Sequence, residues 1–224
     1  MSNVADDFNR ADSGTMGTCS DGEHSWYQWY GSSYTRIKNN QAWCWRDSYE
    51  SANYTEAVIA EHDDFADGEI QATLIAVDCG AVSSTTGAHF IARVPLPHTA
   101  GYFFKFGNDG SVSFPDYSSP VTDVRIIRYD GTFNVLASKT VSYTCPVTCK
   151  AALSGTSLKL YVDGNEELST TDSNYDTGYV GIADRVYATT KGGSIWDDLT
   201  ITGLGGGGGG VVTPPLGLFF SGMN

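Results

Sequence analysis

Twenty-six acidic residues give this 224-residue chain ample material for acid–base chemistry, but their spacing does not assemble it. Glycoside hydrolysis needs two carboxylates facing each other across a sugar. A strand presents two such groups to one substrate only at alternate positions, and no Glu-x-Asp-x-Glu array occurs. Glu166-Glu167 and Asp63-Asp64 are adjacent pairs, so within a strand each pair points to opposite faces. His24, His62, His89 and His98 are scattered, and neither a Gly-x-Ser-x-Gly elbow nor a His-Glu-x-x-His pair is present. The run Gly205 to Gly210 lacks the following lysine and helix of a phosphate loop. The expectation is a protein without a catalytic centre.

The aromatic residues suit binding better. In Trp26-Tyr27-Gln28-Trp29-Tyr30, alternation sends Trp26 and Tyr30 to one face and Tyr27 and Trp29 to the other, while Trp43 and Trp45 share a face further on. Flat rings bury large area at low rotamer cost, which suits sugar rings or a subunit interface. Trp26, Trp29, Trp43, Trp45 and Tyr49 are therefore candidate contacts, with the filling of a wide core as the competing reading. The five cysteines are an odd number, which does not fit a fully paired secreted framework. Cys145 and Cys149 could close only across a tight loop, and free buried thiols are the expectation. No second close Cys or His pair completes a zinc site.

The elements that must carry these residues read as strands. Apolar stretches are short and alternate with period two: Gly68 to Val77, Ala88 to Val94, Tyr102 to Phe106, Ser111 to Phe114, Gly178 to Ala183 and Ser194 to Ile201. Asp130-Gly131 and Asp163-Gly164 sit between alternating runs, the strongest short signal for a hairpin. Nineteen of the acids are Asp and seven Glu, an excess that favours turns over helices. About a dozen strands cannot leave one apolar face wet, so two packed layers follow, giving an all-β antiparallel sandwich. A net charge of −13 and the lack of Lys/Arg clusters argue against nucleic acid. No stretch approaches the roughly 18 apolar residues that span a bilayer, and the first residues lack a signal-peptide pattern, so cytoplasmic synthesis is expected.

Several motifs occur in a characteristic order: Asp6-Asp7-Phe8-Asn9-Arg10-Ala11-Asp12-Ser13 with Met16-Gly17, then Ile37-Lys38-Asn39-Asn40-Gln41-Ala42, Leu160-Tyr161-Val162-Asp163-Gly164, Gly178-Tyr179-Val180-Gly181-Ile182 and Trp196-Asp197-Asp198-Leu199-Thr200-Ile201. Over roughly residues 6–203 the chain resembles the concanavalin A-like, laminin-G-type jelly rolls common in bacteriophage virion proteins and some bacterial surface proteins. The resemblance implies a two-sheet jelly roll with first and last strands side by side, and no single activity. Asp197 shares strand parity with Leu199 and Ile201, so its carboxylate is expected to point inward, where an unpaired charge is costly. With the first strand alongside, Asp7 and carbonyl oxygens would complete a calcium site; otherwise Asp197 accepts backbone N–H groups at a turn.

Residues 1–203 are thus expected to form the jelly roll, 204–210 a polyglycine linker and 211–224 an extended apolar tail. Leu216, Leu218, Phe219 and Phe220 are too few for a core of their own and suit a groove on a partner subunit. The implied role is a virion structural protein of a tailed phage, a capsid decoration or cement protein or else a tail or fibre component. Its partners would be a major capsid or tail protein or further copies of itself, and its location the virion. The alternative is a lectin-like adhesin that binds host surface glycans through the aromatic residues.

Overall fold

The computed structural model describes residues 2–28, 35–46, 54–59, 64–78, 87–95, 100–107, 120–185 and 192–204. Fifteen strands run in chain order: β1 (Ser2–Asp6), β2 (Trp26–Gln28), β3 (Thr35–Lys38), β4 (Gln41–Arg46), β5 (Tyr54–Ile59), β6 (Gly68–Asp78), β7 (Gly87–Val94), β8 (Gly101–Gly107), β9 (Pro120–Tyr129), β10 (Phe133–Thr144), β11 (Val147–Ser154), β12 (Ser157–Val162), β13 (Asn165–Thr171), β14 (Tyr179–Arg185) and β15 (Gly192–Leu204). The two expected hairpins form where Asp-Gly predicts them: Tyr129 pairs with Phe133, and Val162 with Asn165. At the second, Asp163 and Gly164 both have positive φ, 48° and 79°, the geometry that matches strand twist. The segment Ser111 to Phe114 and the tail 205–224 lie outside the described residues.

The strands make an antiparallel two-sheet jelly-roll sandwich. One sheet has the order β13-β12-β11-β6-β15-β4-β3, with β1 also on β15; the other has the order β10-β9-β8-β7-β14-β5-β2. The first and last strands pair, Val4 opposite Ile201 and Asp6 opposite Leu199. The core lies between the sheets, where Phe90, Phe104, Phe106, Ile126, Leu160, Ile182 and Trp196 are fully buried. Phe90 and Phe106 meet the Trp196 indole at 4.9 and 6.1 Å, locking one sheet against the other. Close approach at the β15–β4 seam depends on Gly193, whose φ is +147° and where a Cβ would fall 1.9 Å from the Cys44 carbonyl oxygen.

The N-terminal motif is a polar knot. The Asp6 carboxylate accepts two bonds from Arg10, at 2.6 and 2.9 Å, one from the Trp26 indole N–H at 2.6 Å and one from the Phe8 amide at 3.0 Å. Cys19, Cys44, Cys145 and Cys149 are free and buried, as expected. Burial pushes the Cys145 thiol up to about 12, which keeps it protonated and unreactive. No helix long and apolar enough to cross a membrane occurs among the described residues.

Candidate functional site

The two outward faces of the sandwich differ in kind. That of the eight-stranded sheet is solvated and laced with exposed pairs, Lys150 with Glu69 at 3.1 Å and Lys159 with Glu166 at 2.8 Å. The seven-stranded sheet instead buries both faces of its central strands, every residue of β7 and β8 being buried. Alternation sends Ala88, Phe90 and Ala92 inward, while His89 and Ile91 face outward beside Phe103 and Ile127. Ile91, Phe103, Ile127, Tyr179 and Ala183 form a second apolar cluster there, with Tyr129 and Phe133 half-exposed at its edge.

This second face is concave. Four strand spacings separate β14 from β10, about 19 Å in a flat sheet. The register displaces Arg185 and Phe133 further along the strands, because Arg185 opposes Gly87 and Phe133 opposes Tyr129. Yet the Arg185 guanidinium lies 4.4 Å from the centre of the Phe133 ring, a contact that extended side chains on a flat sheet could not make. The sheet must curl with this face inside, so that Arg185 and Phe133 close over a floor in which His89, Ile91, Phe103 and Lys105 are buried, and the accessible part of the trough is its rim at Tyr129, Phe133, Val135 and Arg125. Phe133 stacks on Tyr129 at 4.6 Å and 34°, and meets Phe103 edge-on at 6.1 Å. Three rings and a guanidinium thus form one wall, and Val135, the one large hydrophobic exposed among the described residues, continues it.

Beneath the aromatic wall runs a row of basic residues. Register places His89 of β7, Lys105 of β8 and Arg125 of β9 side by side. Asp123, on the same face, takes Lys105 Nζ at 2.5 Å and Arg125 Nε at 2.7 Å on a single oxygen, Oδ2. Lys105 is fully buried and Asp123 nearly so, which makes the pairing a condition of the fold. His89 is 1% exposed, and neither ring nitrogen has a hydrogen-bond partner. Burial, with the charges of Lys105 and Arg185, lowers its pKa to about 3, so the ring is neutral.

Of the aromatic candidates, Trp26 and Trp43 have described side chains, and both fall elsewhere. Trp26 is a core residue, packed on Phe8 at 6.1 Å with its N–H on Asp6, and it presents no flat surface. Trp43 lies on the outward face of the eight-stranded sheet, 5% exposed against Ala76 and Ile195 with the Lys38 ammonium 4.5 Å over its ring. Trp45 is on β4 with its side chain outside the described residues; Trp29, Tyr49, Leu216, Leu218, Phe219 and Phe220 lie outside them altogether.

Asp197 does not point inward. A bulge at Asp198, φ 51°, resets the register, so Trp196 and Leu199 both face the core and Asp197 joins the outward side. It accepts the Asp198 amide at 3.0 Å, the turn-acceptor role. Asp7 is occupied by the amide of Asn9 at 3.0 Å, which heads the causes that lower its pKa. Among the described residues no group of three His, Cys, Asp or Glu could hold a metal; Asp7 is among the charges that raise the Asp197 pKa, after burial, so the two carboxylates feel one another.

A signal for the doubly buried face was present in the sequence but unread. Tyr102-Phe-Phe-Lys-Phe106 and Ala88-His-Phe-Ile-Ala92 carry one basic residue each in otherwise apolar strands, a pattern that means both faces are covered.

No protein-family model and no curated protein matches this chain. Solved structures do match, at the level of fold. A β-glucanase of Bacillus licheniformis superposes with a TM-score of 0.58 at 12% identity, covering 91% of this chain and 99% of the enzyme. The carbohydrate-binding module CBM66 of Bacillus subtilis gives 0.53 at 12% identity, covering 78% and 94%. The exoplasmic/lumenal domain of VIP36, in a form bound to Ca2+ and Man3GlcNAc, gives 0.53 at 12% identity, covering 81% and 84%.

These neighbours overturn the bacteriophage resemblance, and with it the capsid-decoration or tail-component role and the virion partners. Similar structures include a carbohydrate-binding module, a domain solved with Ca2+ and Man3GlcNAc, and a β-glucanase. The physical reason lies in what the motifs encode. Asp6 to Arg10 is the polar knot, Asn39-Asn40 a turn with φ of 54° and 59°, Asp163-Gly164 a hairpin and Asp198 a bulge. Such features specify how this sandwich is closed and say nothing of where it works.

Proposed function

We propose that this domain is a non-catalytic, lectin-like carbohydrate-binding module whose sugar lies in the trough of the seven-stranded sheet, against Tyr129 and Phe133. The observation that carries the reading is the aromatic wall bridged by Arg185. It offers ring faces for the apolar side of a sugar, with the guanidinium as a hydrogen-bond donor beside it. Fold neighbours that bind sugars support the class, and the folded Trp26 and Trp43 leave this wall as the better platform. The described carboxylates support binding without cleavage. Asp123 is the one acid whose side chain is described on this face, and its Oδ2 is held by two cations, whereas hydrolysis needs two acids across the sugar.

Calcium, present in forms of VIP36, is carried over only as a structural ion, with Asp7 and Asp197 as its candidate ligands. Glycan-array screening of the full chain, followed by titration of the best ligand, tests the main reading. Phe133→Ala should weaken binding about five- to thirtyfold, since a ring–sugar contact of this kind is worth about 1–2 kcal/mol. Absence of binding to every glycan, or unchanged affinity in Phe133→Ala, would overturn it. Steady release of oligosaccharides would overturn the non-catalytic part.

A further inference from the structure

The chain carries thirteen Lys and Arg against twenty-six acidic residues, yet the trough gathers Lys105, Arg125 and Arg185 on one face. The geometry points to an acidic glycan, one whose sugars bear a carboxylate or sulfate, as the ligand of this trough; the inference rests on the carbohydrate reading and specifies the substrate class. Arg125 uses Nε on Asp123, so its two terminal amino groups, on a side chain 21% exposed, are free to take an oxyanion in the forked geometry that arginine favours.

His89 is the second and independent observation. It is buried on the same face, next in the row to Lys105, and both ring nitrogens are without partners. Only a weak approach to the Gly87 backbone serves it, which leaves hydrogen-bonding capacity that a ligand group could use. The causes of its neutrality report the local field as well. After burial, Lys105 and Arg185 both oppose a further positive charge there, and the row carries Lys105, Arg125 and Arg185 against the one described carboxylate, Asp123. The Arg185–Phe133 contact, by the same logic, places a cation beside the ring on which the sugar would stack.

The test uses the full-length protein and three oligosaccharides of equal length: a uronate oligomer, the same oligomer with its carboxyl groups reduced to alcohols, and a sulfated neutral oligomer. Isothermal titration at low and at 0.3 M salt reads the affinities. An acidic oligomer should bind at least about tenfold tighter than the carboxyl-reduced one, the preference falling with salt. Whether the uronate or the sulfated oligomer binds tighter names the anion. Arg125→Gln should abolish most of that preference while leaving the carboxyl-reduced oligomer's affinity unchanged, and Arg125→Lys should restore part of it. Melting curves of both variants establish that they are folded. Equal affinity for acidic and reduced oligomers would overturn the acidic class and leave the carbohydrate reading standing. Failure of all three, with no other glycan bound, would overturn both.

Discussion

Replacing Asp6 by alanine removes one carboxylate and strands four donors. The Trp26 indole N–H and the Phe8 amide are buried, at 7% and 0% exposure, and neither can turn to water. Each buried donor left unsatisfied costs about 1–3 kcal/mol. Arg10 behaves differently, because its side chain is 25% exposed and keeps a bond of 2.6 Å to the Met16 carbonyl. It can rehydrate in part, so its loss adds only about 1 kcal/mol. The sum is about 3–7 kcal/mol, centred near 5. For a domain of this size that corresponds to a fall of roughly 15 °C in Tm. Urea and thermal melts followed by circular dichroism measure it. A cycle with Trp26→Phe isolates the indole bond, with an expected coupling of about 1–2 kcal/mol. The knot packs on the core side of the sheet, not on the trough face, so glycan affinity measured well below Tm should be unchanged. A loss under 1 kcal/mol, or no coupling to Trp26→Phe, would refute the reasoning that Asp6 organises the N-terminal motif.

Further outcomes follow from the same structure. His89 has a folded pKa of about 3, below the ordinary 6.5, so the unfolded chain binds more protons between those values and stability should fall as pH drops from about 6.5 toward 3. His89→Phe should flatten that part of the stability profile measured by urea melts. Asp172 is lowered to about 2, its burial outweighed by hydrogen bonds from Tyr102, Asn174 and Arg128, so a further loss should appear as pH falls from about 3.8 toward 2; Asp172→Asn should remove it. Gly193→Ala should destabilise by at least about 2 kcal/mol in denaturant titration, because its Cβ cannot be accommodated without parting β15 from β4. Asp197→Asn should diminish any rise of Tm in calcium over EGTA relative to the parent, since it removes one of the two candidate ligands.

What the sequence determined by itself was local. Period-two alternation, the Asp-Gly turns and the lack of any helical stripe required an antiparallel β-sandwich, and the odd cysteine count anticipated free thiols. These follow from backbone geometry within a few residues, which the chain specifies wherever it is placed. Asp197 shows where that reach ends. Its parity with Leu199 was read correctly as spacing, but one bulge residue at positive φ turned it to the other face. Trp26 likewise depended on Asp6 lying beneath it, a contact between distant strands. The trough is the clearest case. Its residues come from β7, β8, β9, β10 and β14, and only the order β10-β9-β8-β7-β14 brings them onto one face. Even that order does not make a site: Arg185 meets Phe133 because the sheet curls, and curvature is set by twist and packing summed over all its strands, a property no short stretch of sequence contains.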